Sequence, residues 1–229
     1  KSSVVLAGVV PDVEALGWAV AVMRPGRAPM RALDEALALR PNDGRPCLLV
    51  IDQFEEIFTH ADASDGDPSA FARRLWDLSR SPAHPTQVLV TLRVDYLGRC
   101  GEVALDAAGL RLDRVAYDEA HRLFVAQMTP DRLAETITGP LARVGLSLET
   151  GLDRRLLDEI GGDPTGLPLL QYALDELWKR RQGDALTHAA LDEIGGVVGA
   201  LAHHADAAVD ALPPEGQAQA RRLLVRLVA

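Results

Sequence analysis

The sequence predicts an α/β domain built on a parallel sheet, followed by an all-helical region. Three observations predict it. Cys47 to Ile51 (CLLVI) is continuously apolar with no alternation, as in a strand buried on both faces of a parallel sheet. Apolar runs and helical periodicities take turns between Trp18 and Leu92, the rhythm of strand–helix crossover units. Beyond Met128 the apolar residues recur only at helical spacing.

Each element has a local reason. Ser2 to Val10 contains no breaker before Pro11 and reads as a helix, with Lys1 and the serine hydroxyls where an anion sits well against a helix N-terminus. Trp18 to Met23 is a short apolar run closed by RPGRAP, a strand followed by a turn. Pro29 opens a helix marked by Met30, Leu33 and Leu37, which ends before Pro41-Asn42-Asp43-Gly44. Asp67-Pro68 supplies an N-cap and a first-turn proline for a helix whose buried stripe is Phe71, Leu75 and Leu78. Gln87 to Leu92 reads as a second fully apolar strand.

The later helices are equally marked. Thr129-Pro130-Asp131 combines a cap, a first-turn proline and an acidic residue suited to a helix N-terminus, ahead of Leu133, Ile137 and Leu141. Leu152, Leu156 and Ile160 form a helix that stops at Gly161-Gly162. Leu169, Leu170, Ala173, Leu174, Leu177 and Trp178 give a broad apolar face ending before Gly183. Thr187 caps a short helix, Gly195-Gly196 interrupts, and Leu201, Val209 and Leu212 carry one more as far as Pro213-Pro214. Everything from Thr129 onward is expected to be helical. The predicted division is residues 1–128, 129–212 and a further unit starting at 213–229.

Composition narrows the function classes. At 229 residues the chain holds one large or two small domains, with ample material for a core. Its 48% hydrophobic and 25% charged content is that of an ordinary soluble globular chain, not of a fibre or a disordered segment. A formal charge of -9 argues against a surface that neutralises many phosphates, so nucleic acid is not the expected partner. Cys47 and Cys100 cannot make a disulfide framework and sit in no metal-binding spacing, so buried free thiols in a reducing, cytoplasmic setting are expected. No apolar run reaches the ~18–20 residues of a membrane span, so no membrane role is expected. Hydrolase signatures of the GxSxG, HExxH or Cys-His kind are absent from the sequence.

A small set of residues carries chemical promise. Lys1-Ser2 matches the last two positions of a GxxxxGK[ST] phosphate loop, in which lysine meets the β/γ charge and the hydroxyl meets magnesium. Asp52 ends the apolar CLLVI run, and a strand in that position aims a carboxylate at a phosphate crevice, where it can hold a metal ion. The alternative is a solvent-tipped aspartate ending a strand. Glu55 and Glu56 follow Phe54, so one of them can turn back to orient an attacking water, or both belong to a solvated acidic turn. Thr91-Leu92-Arg93 ends the next run, placing Arg93 to sense a γ-phosphate, or simply to pair with Asp95 on the surface. His203 and His204, adjacent on one helix, cannot share a face.

Five separated blocks also carry a resemblance. DQFEE after CLLVI, VLVTLRVDYLGRC, MTPDRL, GGDPTGLPLLQYALDELWKRR and GGVVGALAHHAD together resemble the novel STAND NTPases of bacteria, in particular their first group, in family order along essentially the whole chain. The resemblance implies a P-loop NTPase sheet followed by a helical lid and the start of a winged-helix unit. Lys1 and Ser2 would close the Walker A motif, with Ser2 and Asp52 on Mg2+ and Asp52 as the Walker B aspartate. Glu55 or Glu56 would position the water, Arg93 would match the sensor arginine after the fourth strand, with Thr91 among the nucleotide-binding residues, and Pro168 would belong to the GLPL motif packed over adenine. The glycine loop and the strand ahead of it are not in the sequence; the family places that strand mid-sheet, where its loss would leave two unpaired edges.

The implied function is an ATP-binding signalling switch that hydrolyses ATP slowly and couples nucleotide state to domain rearrangement or homo-oligomerisation. Its effector and sensor domains, WD-repeat propellers among them, would lie elsewhere in the full-length protein, and a segment cut within its phosphate loop would be inactive. Two alternatives stand beside it: a non-hydrolysing oligomerisation scaffold, and an ATP-dependent transcription or replication regulator.

Overall fold

A computed structural model describes residues 1–41, 43–60, 67–82, 85–161 and 166–228. The chain divides into two compact units, Lys1–Val125 and Ala126–Ala229. The Asn42 of the predicted turn and the Gly162 of the predicted helix stop lie outside the described residues.

In the first unit, β1 (Ala19–Met23), β2 (Cys47–Ile51) and β3 (Thr86–Val90) form a parallel sheet in the order β1-β2-β3. Ala19 pairs with Cys47, and Cys47 with Thr86, so the three strands end level at Met23, Ile51 and Val90. All five residues of β2 are buried. Leu49 and Ile51 face one apolar cluster, with Leu33 of α3 (Pro29–Ala38) and Phe71 and Leu75 of α5 (Pro68–Ser79). Leu48 and Val50 face a second, with Val5, Val13 and Trp18. Burial on both faces, worth about 1.5–3 kcal/mol for each large apolar side chain, explains the missing alternation. Asp67 caps α5 as predicted, its carboxylate accepting from the Ser69 N–H at 2.9 Å.

Two readings of this unit need correction. The first helix does not stop at Pro11. It runs α-helical over α1 (Ser2–Val4), widens to a π-helix over Val5–Val9 and returns to α-helix over α2 (Val10–Ala15), with Pro11 in the first turn of α2. Proline lacks an N–H and its ring collides with a carbonyl one α-turn earlier, so a wider π-turn just ahead of it relieves both problems. The second apolar run is a strand, but not over Gln87 to Leu92: β3 covers Thr86–Val90, Val90 is exposed, and β3 is an outer strand among the described residues. Thr91 and Leu92 lie beyond it. A short α4 (Glu56–Thr59), a 3-10 helix over Val94–Glu102 and α6 (Leu112–Ala116) complete the unit.

The second unit contains α7 (Pro130–Arg143), α8 (Leu152–Ile160), α9 (Gly166–Lys179), α10 (His188–Glu193), α11 (Gly196–Asp210) and α12 (Pro214–Val228). The predicted stripes form its core: Ile137 and Leu141, Leu152, Leu156 and Ile160, and Leu170, Ala173 and Leu177. Thr129 and Thr187 cap α7 and α10, accepting from the Arg132 and Ala190 N–H groups. One expectation fails here. The unit is not all helix, because β4 (Ser147–Leu148) and β5 (Ala185–Leu186) pair in parallel. Two residues per strand are too short to show as periodicity, so helical spacing masked them.

Gly195 and Gly196 both take φ of 77°, the left-handed region that favours glycine. That bend brings the Val197 N–H to the Glu159 carboxylate at 2.7 Å, tying the start of α11 to the end of α8. His203 and His204 point apart as expected. His203 meets the Ile194 carbonyl through Nδ1, and His204 packs on Tyr172.

Candidate functional site

Everything of chemical interest in the first unit gathers where the strands end. Asp52 follows the last residue of β2, and its N–H donates to the Met23 carbonyl at 2.9 Å, so the ladder continues one step past the strand. Asp52 is 1% exposed, and the partners of its carboxylate come from three different segments. Ser2 Oγ donates to Asp52 Oδ1 at 2.6 Å. Thr91 Oγ1 donates to the same oxygen at 2.8 Å. Arg24 lies on the other oxygen, Oδ2, at 3.2 Å through both Nε and Nη2.

Burial pushes the Asp52 carboxyl up. The hydroxyls of Ser2 and Thr91 and the Arg24 guanidinium outweigh it and hold the carboxyl below the usual carboxylate range. Asp52 is therefore an ionised, fully partnered carboxylate, not the solvent-tipped aspartate of the alternative reading.

Thr91 organises the turn that presents this carboxylate. Its N–H donates to the Ile51 carbonyl, its carbonyl accepts from the Phe54 N–H, and its hydroxyl accepts from the Gln53 N–H, each at 2.9 Å. Three bonds from one residue hold Gln53 at φ 59°, a left-handed backbone that costs a non-glycine residue about 1–3 kcal/mol.

The two glutamates separate. Glu56 Oε2 accepts from the Gly26 N–H at 2.9 Å, so it braces the turn after β1. Glu55 faces the other way, its Oε2 accepting from the Arg93 N–H at 3.3 Å. The Lys1 ammonium lies within reach of the same charges: burial is the largest effect and lowers its pKa, the Glu55 carboxylate opposes that, and the Arg93 guanidinium reinforces it. Arg93 turns its guanidinium to Asp95, with Nε–Oδ1 at 3.1 Å and Nη2–Oδ2 at 2.8 Å, the surface pair that stood as its alternative. It remains beside the site through its backbone and its charge.

The structure thus brings Lys1, Ser2, Asp52, Glu55, Thr91 and Arg93 together and gives Glu56 a bracing position. Pro168 is exposed in the first turn of α9, in the other unit. Arg24 was missed, although the sequence held a signal: like Arg93, it stands just past an apolar run that becomes a parallel strand.

Metal chemistry fits this donor set. Ser2 and Asp52 offer adjacent hard oxygens, and Arg24 shows that a cation is accommodated at the carboxylate. Magnesium is commonly held by one or two such protein oxygens, with phosphate and water supplying the rest. Among the described residues no group of three or more His, Cys, Asp or Glu side chains makes a metal cage by itself. A groove of about 290 Å3 in the second unit, lined by Ile137, Pro140, Leu141, Val144, Leu174 and Trp178 among others, is too apolar to receive phosphate.

A small parallel sheet flanked by helices, with a buried aspartate at the tip of its middle strand and a serine from the leading helix bonded to it, is compatible with the P-loop NTPase class of fold. Residues 1–229 match the family model described as Novel STAND NTPase 1, and the chain belongs to that family. Membership in an NTPase family implies nucleotide binding. No curated protein matches the chain. No helix among the described residues is long and apolar enough to cross a membrane.

Proposed function

We propose that this chain is the nucleotide-responsive part of an ATP-dependent signalling switch, with ATP and Mg2+ at the strand tips of the first unit. The observation that carries the reading is the Ser2–Asp52 hydrogen bond, which joins the hydroxyl of a phosphate-loop signature to the carboxylate of the acidic strand. Lys1 meets the β/γ-phosphate charge, Ser2 and Asp52 hold the metal, and Thr91 fixes the orientation of Asp52. A magnesium ion held by Ser2 and Asp52 would supply neutralisation of phosphate charge at this place.

Glu55 is the residue assigned to orient the attacking water, because it faces Lys1 and Arg93 whereas Glu56 is committed to the Gly26 amide. Arg93 exchanges Asp95 for the γ-phosphate when nucleotide is present, a swap favoured by the fit of a guanidinium fork to phosphate oxygens. Turnover is slow, since a switch depends on the lifetime of its loaded state, and that state alters domain arrangement and homo-oligomer size.

Sedimentation of the full-length protein loaded with ATP, a non-hydrolysable analogue or ADP tests this. The switch reading expects a larger assembly with ATP and the analogue than with ADP. One assembly size in all three, together with unchanged signalling by Asp52→Asn, would favour the non-hydrolysing scaffold.

A further inference from the structure

The Arg24–Asp52 pair is unusual in how its two halves are held. Asp52 is 1% exposed and fixed by two hydroxyls on Oδ1, whereas the Arg24 side chain is 57% exposed and reaches in from solvent to Oδ2. Its backbone has little freedom. Pro25 follows it and is buried, Gly26 takes φ of 58°, and the Gly26 amide is locked to Glu56 at 2.9 Å. An anchored backbone carrying a solvent-reaching guanidinium leaves the side chain as the part that can leave.

A buried carboxylate without a counter-charge is costly, so something cationic has to neutralise Asp52 whenever a metal does not. We propose that Arg24 is this placeholder cation: it occupies Asp52 Oδ2 when metal-nucleotide is absent, is displaced when the metal arrives, and then turns to the phosphates. This rests on the reading of Asp52 as a metal-holding residue and adds a competitor to it. Arg24 has the means for both states. The guanidinium is permanently charged and suited to carboxylate and phosphate oxygens alike. Its stem starts one residue past β1, alongside the tip of β2, so it can change partner by side-chain rotation with no shift of the sheet.

Loading would therefore be a cation exchange, metal for arginine, at one carboxylate oxygen. The consequence is a raised metal requirement for nucleotide binding, which keeps the empty state neutralised and makes metal-free nucleotide a poor ligand for the switch.

The test uses the full-length protein and a fluorescent ATP analogue, with Kd measured in excess EDTA and in excess Mg2+. The ratio of the two, the metal enhancement, isolates the competition, since a merely structural defect would change both constants alike. For Arg24→Gln the ratio is expected to rise about fivefold, a value reduced from that of a fully buried charged pair because Arg24 is more than half exposed. Arg24→Lys, which keeps the charge but loses the fork, is expected to lie between wild type and Arg24→Gln. A wild-type ratio near one would overturn the metal-site reading itself, and the proposal with it. A wild-type protein with clear metal enhancement, but with Arg24→Gln unchanged or lower, would overturn the proposal alone. Because Arg24→Lys retains a cation at the same place, its ratio decides the matter if Arg24→Gln does not fold.

Discussion

Ser2 and Asp52, 50 residues apart in sequence, meet through a hydrogen bond of 2.6 Å at the tip of the central strand. Neither residue is informative alone. A Lys-Ser pair is common in any sequence, and an aspartate after a strand is common in any α/β protein. Their contact joins the end of a phosphate-loop signature to an acidic strand tip, where Thr91 and Arg24 meet the same carboxylate.

Asp52 should matter to stability as well as to binding. Asp52→Asn keeps the shape but removes the charge that Arg24, Ser2 and Thr91 all address, and a loss of about 1–3 kcal/mol is expected in urea denaturation at pH 7. Because the folded carboxyl titrates below its unfolded value of about 3.9, its contribution is present above that value and is lost as pH falls through the folded pKa. The gap between wild type and Asp52→Asn should therefore close below about pH 4. A gap that stays constant to pH 3 would mean that the carboxylate's charge is not what the site uses.

The two glutamates should have unequal effects. Glu55→Gln is expected to slow single-turnover hydrolysis in the full-length protein by about 100-fold or more while nucleotide still binds. Glu56→Gln retains an oxygen that can accept from Gly26 and should slow it far less. The reverse ranking would exchange their roles.

Both thiols should resist modification. Cys47 and Cys100 are free and buried, and burial raises both, with the Asp113 charge helping to push Cys100 to about 11. A thiol reagent at pH 8 should label neither residue in the native protein and both after denaturation. Rapid native labelling of Cys100 would show that its pocket opens readily.

Gly166 should not tolerate a methyl group. A Cβ there would sit 2.0 Å from Ile160 Cγ2 and 3.3 Å from its Cβ, and a branched side chain in a helix has little room to rotate away. Gly166→Ala is expected to cost about 1–3 kcal/mol in thermal or urea unfolding. A neutral result would mean that the α8–α9 junction repacks easily.

Much of the scaffold was legible in the sequence, because its causes are local. CLLVI is apolar throughout because β2 is covered on both faces, and Asp67, Thr129 and Thr187 cap helices through their own side chains. What could not be read depends on cancellation or on partners distant in sequence. Pro11 breaks an α-helix but is absorbed by a π-turn, and β4 and β5 are too short for any period. In the site, Asp52 and Ser2 could be nominated from motifs. Arg24 belongs to no motif; its place just past an apolar run was its one signal, and the parallel register of β1 and β2 is what sets it beside Asp52. Glu55 and Glu56 are adjacent in sequence but face different partners, Arg93 past β3 and Gly26 past β1.

Titration of the full-length protein with a fluorescent ATP analogue in the presence of Mg2+, wild type against Asp52→Asn, tests the central claim most directly. Wild type is expected to bind saturably and to weaken at least tenfold on removal of magnesium, whereas the weaker binding of Asp52→Asn should no longer respond to the metal. Equal, metal-sensitive binding by both proteins would contradict that claim, because the carboxylate held by Ser2, Thr91 and Arg24 would then have no part in holding the metal-nucleotide.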